Sequence, residues 1–312
     1  MSTKYEISPE AARSHTRKSK PDSSSVILKK FLLVIFVGFF AWAYQTALPP
    51  PPKTVGSPDG PPITSPRIKL RDGRHLSYIE SATASPALVE ELGVYFVAID
   101  RPGYGESDPD PKRTVKSLAF DIEELADQLN LGPKFYVAGY SMGGQVMWSC
   151  LKYIPHRLAG AVLIAPGINY WWPNLPSNLT NEAFFRTTST GSMVSAFASK
   201  LFAAMDPDQL QAWNTQPRQQ GEFESLHRDI NIGFGKWDFD PMDLKNPFPN
   251  NDGSIHIWQG DEDLIVPVTL QRYIAHQLTW VKYHELTGTG HLLPFADGVI
   301  DSILIELLTK KN

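Results

Sequence analysis

The chain is poor in cysteine: its 312 residues include one, Cys150. No intrachain disulfide can form, so pairing says nothing about redox compartment, and Cys150 reads as a small buried residue on a helix. A clustered basic surface is also missing. Lys and Arg number 29 against 33 Asp and Glu, a net charge of −4, which argues against nucleic acid as the main partner. No phosphate-cradling glycine loop occurs, and no His/Cys/carboxylate spacing points to a metal, so neither cofactor nor metal is expected. No internal repeat is present. Long uncharged apolar runs are rare too, with one exception near the N-terminus.

That exception is residues 31–48, FLLVIFVGFFAWAYQTAL, without a single charge. As a helix it would rise about 27 Å, close to the roughly 30 Å of a bilayer core. Trp42 and Tyr44 stand near its far end, where amphipathic rings favour the interface. The run is read as a transmembrane anchor; a cleaved signal peptide is the alternative, because Ala41-Trp42-Ala43 resembles a cleavage site. Residues 1–30 hold seven Lys/Arg and three Asp/Glu and read as a disordered basic tail. The positive-inside bias keeps that tail cytoplasmic and places the remainder lumenal or extracellular. A sequon at Asn178-Leu179-Thr180, a possible glycosylation site, is consistent with that side. Residues 49–66, rich in Pro and Gly, read as a stiff spacer.

From residue 67 to the C-terminus, strand and helix patterns alternate. A hairpin is expected over 68–80 around Asp72-Gly73. Short apolar runs at 94–99, 135–139, 160–165 and 255–258 read as buried strands, with another near Tyr283. Leu118, Ile122, Leu125 and Leu129 give one helical stripe, 145–153 a second helix, and Val299 to Leu308 a closing one. The alternation predicts an α/β fold, a mostly parallel sheet covered by helices on both faces. Residues 167–250 break the rhythm with Trp171, Trp172, Phe184, Phe185, Trp213, Phe234 and Trp237. They are read as a cap insertion over a pocket, although the same aromatics would also pack a small core of their own.

The strongest chemical signal is Gly139-Tyr140-Ser141-Met142-Gly143, a G-x-S-x-G run between a predicted strand and a predicted helix. On such a turn Ser141 exposes its hydroxyl, and side chains at 139 and 143 are expected to collide with the neighbouring strand and helix. A hydroxyl needs a base, and the base an orienting carboxylate. Asp261, Glu262 and Asp263 follow the strand at 255–258, and His291 closes a Gly-Thr-Gly-His run after the strand near Tyr283. Both loops leave carboxyl ends of strands, where open α/β sheets place their ligands. Asp263 is assigned as orienter ahead of Asp261 and Glu262, and His291 as general base.

Four segments together, 100–109 (DRPGYGESDP), 132–166, 260–267 (GDEDLIVP) and 288–294 (GTGHLLP), resemble the α/β-hydrolase superfamily. The first is especially similar to plant members of its esterase/lipase-like branch. The resemblance covers roughly 67–308. It implies an eight-stranded sheet, a Ser141–His291–Asp263 triad, one oxyanion donor in the Met142 backbone N–H, and a small ester or lipid as substrate. Rival readings are a non-catalytic ligand-binding or scaffold protein on the same fold, and acyl transfer to an alcohol instead of water. The chain departs from the pattern at one place. Where members carry a strand, a His-Gly turn and a helix after the hairpin, it offers only the 13 residues SATASPALVEELG, and it contains no His-Gly pair.

Overall fold

The computed structural model describes residues 23–81, 84–185 and 216–309. The tail up to residue 22 and residues 186–215 of the expected cap lie outside the described residues. The chain forms two compact units that part between Pro50 and Pro51. The first contains helix α1, Ser23–Ala47, one residue short of the expected end at Leu48 and reaching back through Lys29 and Lys30. Its stretch Ile27–Thr46 is long and apolar enough to cross a membrane, and Phe31, Leu33, Phe36 and Phe40 on it are exposed.

The second unit begins with a hairpin. Strands β1 (Arg67–Lys69) and β2 (His75–Ile79) pair antiparallel, with Ile68 opposite Leu76. Gly73 supplies the positive φ of the turn. Helix α2 (Pro86–Leu92) follows, then β3, which is only Ala98–Ile99 and pairs antiparallel with β2. Helix α3 (Val115–Gln128) opens with a reciprocal cap: Ser117 N–H donates to Thr114 Oγ1, and Thr114 N–H to Ser117 Oγ. Strand β4 (Phe135–Tyr140) runs into helix α4 (Met142–Tyr153), and β5 is Leu158–Ile164. Between β5 and β6 (Ser254–Gly260) the described residues hold helical turns at 177–185, a π-helical turn at Phe223–His227 and α5 (Arg228–Gly233). Helix α6 (Val268–Gln277), β7 (Val281–Leu286) and α7 (Val299–Leu308) complete the chain.

β4, β5, β6 and β7 form one parallel sheet in that order. Alternation sorts its side chains. Ala161, Leu163, Ile255 and Ile257 face a core shared with Trp148 of α4 and Leu270 and Ile274 of α6. Val162, Ile164 and Trp258 face the other way, against Val299, Ile303 and Leu307 of α7. Helices thus cover both faces, as the pattern predicts. The registers Tyr140↔Ile164 and Gly260↔Leu286 bring the carboxyl ends of the strands to one edge.

The resemblance implied eight strands in one sheet. The described residues hold seven strands in two sheets, because β3 pairs only with β2 and β4 only with β5. The physical reason is chain length. Of the residues between Glu80 and Val94, seven are consumed by α2, and none of those described is a strand. No described strand therefore stands between β3 and β4. Ala98, Tyr136 and Ala138 are exposed at the two facing ends, and α2 buries none of its residues.

Candidate active site

Three of the residues singled out from sequence converge at the carboxyl edge. Ser141 sits at the β4–α4 junction with φ 79° and ψ −111°, a backbone state a side chain rarely adopts. Its amide donates to Ile164 O (2.9 Å), and its own carbonyl accepts from Gly144 N–H (3.0 Å) and Gly167 N–H (2.7 Å). These bonds hold the strained turn in place. Tight packing explains Gly139, where a Cβ would stand 2.3 Å from Gly143 O. The same reason fails at Gly143, where a Cβ would meet nothing within 4 Å. It belongs instead to Gly144, whose Cβ would lie 2.3 Å from Pro166 Cβ. Helix α4 approaches the β5 loop one residue later than the motif implied.

His291 Nε2 lies 2.9 Å from Ser141 Oγ, and His291 Nδ1 lies 2.8 Å from Asp263 Oδ2. The Asp263 side chain is fully buried, and Oδ1 accepts from Ile265 N–H and Val266 N–H, each at 2.8 Å. The other two acidic candidates go elsewhere. Asp261 accepts from Gly288 N–H (2.7 Å), stapling the two loops together, while Glu262 is exposed and its amide donates to Thr289 O (3.0 Å). Gly260 allows this approach, since a Cβ there would lie 2.3 Å from Thr289 O. Met142 is the first residue of α4, so its N–H is among the first-turn amides that have no acceptor within the helix. Asn178 is exposed at the start of the 177–185 turns, whereas Thr180 of its sequon is buried.

Two contributors were not singled out from sequence. Gln259, fully buried on β6, donates from Nε2 to Asp263 Oδ2 (2.9 Å) and to Val266 O (3.2 Å). The available signal was an amide directly after the apolar pair Ile257-Trp258 at the carboxyl end of the strand. Tyr140 donates its hydroxyl to His291 O (3.0 Å) and packs its ring 5.2 Å from the imidazole. Burial and the charge of Asp263 raise its pKa. Chemically, the line Ser141–His291–Asp263 can pass a hydroxyl proton to Nε2 while the carboxylate holds the Nδ1 proton.

A second histidine group lies away from this line. His256, His284 and Glu306 bring ligand atoms within 4.8 Å of one another. The two imidazoles are nearly coplanar (6°), with Nδ1 of His256 2.9 Å from Nε2 of His284, and Ser254 Oγ lies 2.8 Å from His256 Nε2. At that separation the two ring nitrogens are within hydrogen-bond distance of each other. Cys150 is buried on α4, and burial pushes its thiol pKa up to about 12, so it is inert.

Residues 72–299 match a family model described as the alpha/beta hydrolase family. The chain belongs to that family. Solved structures with the same fold include a hydrolase from Pseudomonas aeruginosa (16% identity, TM-score 0.53, 77% of this chain and 97% of that one). An esterase from a Rhodococcus species is similar at 15% identity and TM-score 0.53, over 79% and 98% of the two chains. An esterase from Exiguobacterium antarcticum is similar at 19% identity and TM-score 0.50, over 78% and 98%. At these identities the likeness speaks to fold alone.

Proposed function

We propose that this chain is a membrane-anchored serine hydrolase of the plant esterase/lipase-like branch, acting on carboxylic esters or lipids. Ser141 is the nucleophile, His291 the general base, Asp263 the orienting carboxylate and Met142 N–H one oxyanion donor. The observation that carries this reading is the line of contacts at 2.9 and 2.8 Å from Ser141 Oγ through the imidazole to a buried carboxylate. In acylation, Oγ attacks the ester carbonyl as Nε2 takes its proton. The tetrahedral oxyanion collapses, and His291 hands the proton to the departing alkoxide. Water then repeats the sequence against the acyl-enzyme. Residues 31–48 are the anchor, the basic tail is cytoplasmic and the hydrolase unit is lumenal or extracellular.

A fluorophosphonate probe tests the assignment, because only an activated serine reacts with it. Wild type is expected to be labelled at Ser141, and Ser141→Ala to lose the label entirely. Unchanged labelling of Ser141→Ala removes the assignment. A second reading, a ligand-binding protein without turnover, is favoured by the unpaired edges of β3 and β4 and by the absence of a His-Gly turn. A folded chain that the probe leaves untouched supports that reading instead.

A further inference from the structure

Between the start of α3, the first half of α4 and α5 lies a small cleft open to solvent. Met142 lines it, so the cleft abuts the residue next to Ser141. One side is apolar, with Val115, Leu118 and Ile232; the other carries Arg101 and Arg113. Asp229 answers both guanidiniums with one carboxylate: Arg101 Nη1 stands 2.6 Å from Oδ2, and Arg113 Nη2 contacts Oδ1. The neighbouring Arg228 is neutralised by Glu224 at 2.6 Å. Among the described residues lining the cleft, one positive charge is left over.

Donors are left over as well. The Arg113 side chain is 3% exposed, with Nη1 donating to Pro102 O and Nη2 to Ser225 O (3.1 Å). Among the described residues its Nε has no partner, and neither has the hydroxyl of fully buried Ser149, which lines the same cleft. Burial pulls the Arg113 guanidinium below its ordinary pKa, against the pull of Asp229, so an added anion would relieve it. Unpartnered buried donors beside an excess cation favour an oxyanion. One surplus charge matches a monoanion better than a dianionic phosphate, and the apolar wall suits a short hydrocarbon chain.

We propose that this cleft binds the free carboxylate of a half-ester of an aliphatic dicarboxylic acid, whose ester end points toward Ser141. The proposal rests on the hydrolase reading for its orientation, but it is tested by binding. Calorimetry on the full chain in detergent compares monomethyl adipate, dimethyl adipate and inorganic phosphate. Monomethyl adipate is expected to bind saturably, with dimethyl adipate and phosphate at least tenfold weaker. Arg113 also ties Pro102 and Ser225, so the variant of choice is Arg101→Gln, whose side chain is 24% exposed and whose loss is expected to weaken monomethyl adipate about tenfold. Equal binding of the two adipate esters overturns the proposal, as does unchanged affinity in Arg101→Gln or no saturable binding at all. Tighter binding of phosphate than of monomethyl adipate overturns the choice of a carboxylate. Fluorophosphonate labelling of the same preparation separates the two readings: labelled protein without charge-selective binding loses the cleft and keeps the hydrolase.

Discussion

Gln259 does no chemistry of its own, yet it donates to the same Asp263 oxygen that faces His291 and also grips Val266 O. Replacing it with Leu leaves Oδ2 anchored by His291 alone. A hydrogen bond to a charged group contributes about 1.5–3 kcal/mol, so Gln259→Leu is expected to slow fluorophosphonate labelling at least about tenfold while the chain still melts cooperatively. An unchanged labelling rate would show that Asp263 is positioned without it. Residue identities at this site were legible to different depths. Ser141 and His291 announce themselves through flanking glycines, whereas three carboxylates in one loop differ only in burial, which spacing does not encode. The fully buried Asp263 side chain, capped by two amides, is what separates it from Asp261 and exposed Glu262. Gly143 and Gly144 teach the same lesson, since the run of glycines shows that a close approach exists but not which residue makes it.

At the scale of elements, α3 does most to join the two sheets. Its Ala119 and Ile122 belong to the core of the parallel sheet, while Leu125 and Leu129 pack with Ile68, Leu70 and Leu76 under the hairpin. The spacer is tied down separately by Glu106, 4% exposed, which accepts from Thr64 N–H (2.8 Å), Ser65 N–H (3.0 Å) and the Thr64 hydroxyl. Burial opposes its charge, but these bonds and Arg67 outweigh burial and hold its carboxyl below the ordinary value. A depressed pKa stabilises above the unfolded value, about 4.3, and that stabilisation disappears as pH falls through the folded value. Glu106→Gln is therefore expected to cost about 1–3 kcal/mol at pH 7, with the gap to wild type narrowing steadily as pH falls below the unfolded value; a gap that stays constant down to the acid limit of the folded range would contradict this. For α1, the anchor reading expects resistance to alkaline carbonate extraction and protection of the hydrolase unit in sealed microsomes, and digestion in intact vesicles would reverse the topology. Strands β4, β5 and β6 were legible because each carries an apolar run, whereas β7, with Lys282, His284 and Glu285, was placed only near Tyr283. The run 94–99 has the same appearance but yields only two paired residues, since a strand's extent depends on a partner that periodicity cannot see.

For the whole molecule, the consequence of the short segment after Glu80 is an interrupted sheet. Direct pairing of β3 with β4, or buried backbone groups without partners, were the outcomes to expect from such a loss. Among the described residues β3 and β4 do not pair. Tyr136 is 45% exposed, and Ala98 and Ala138 are exposed as well, so alternate side chains along this edge reach solvent. Part of the cost is apolar surface left uncovered, at about 25 cal/mol per Å², and a helix α2 that buries nothing. Against a usual total of about 5–15 kcal/mol, the fold survives but is weakened. Catalysis loses more, on the hydrolase reading, because an oxyanion hole draws its second donor from the loop that follows the strand this segment would supply. One missing donor costs about 2.7–4 kcal/mol in the transition state, roughly 10²–10³ in rate. A version carrying a strand, a His-Gly turn and a helix inserted after Glu80 is therefore expected to hydrolyse a simple ester at least about a hundredfold faster. Recovering about 2–3 kcal/mol of burial should raise its melting temperature by about 5–10 °C. Equal turnover and equal melting temperature in the two proteins would mean that the hairpin or the residues around Ala84 already supply what the insertion restores. A gain in melting temperature without a gain in rate would locate the defect in the sheet and leave the oxyanion site intact.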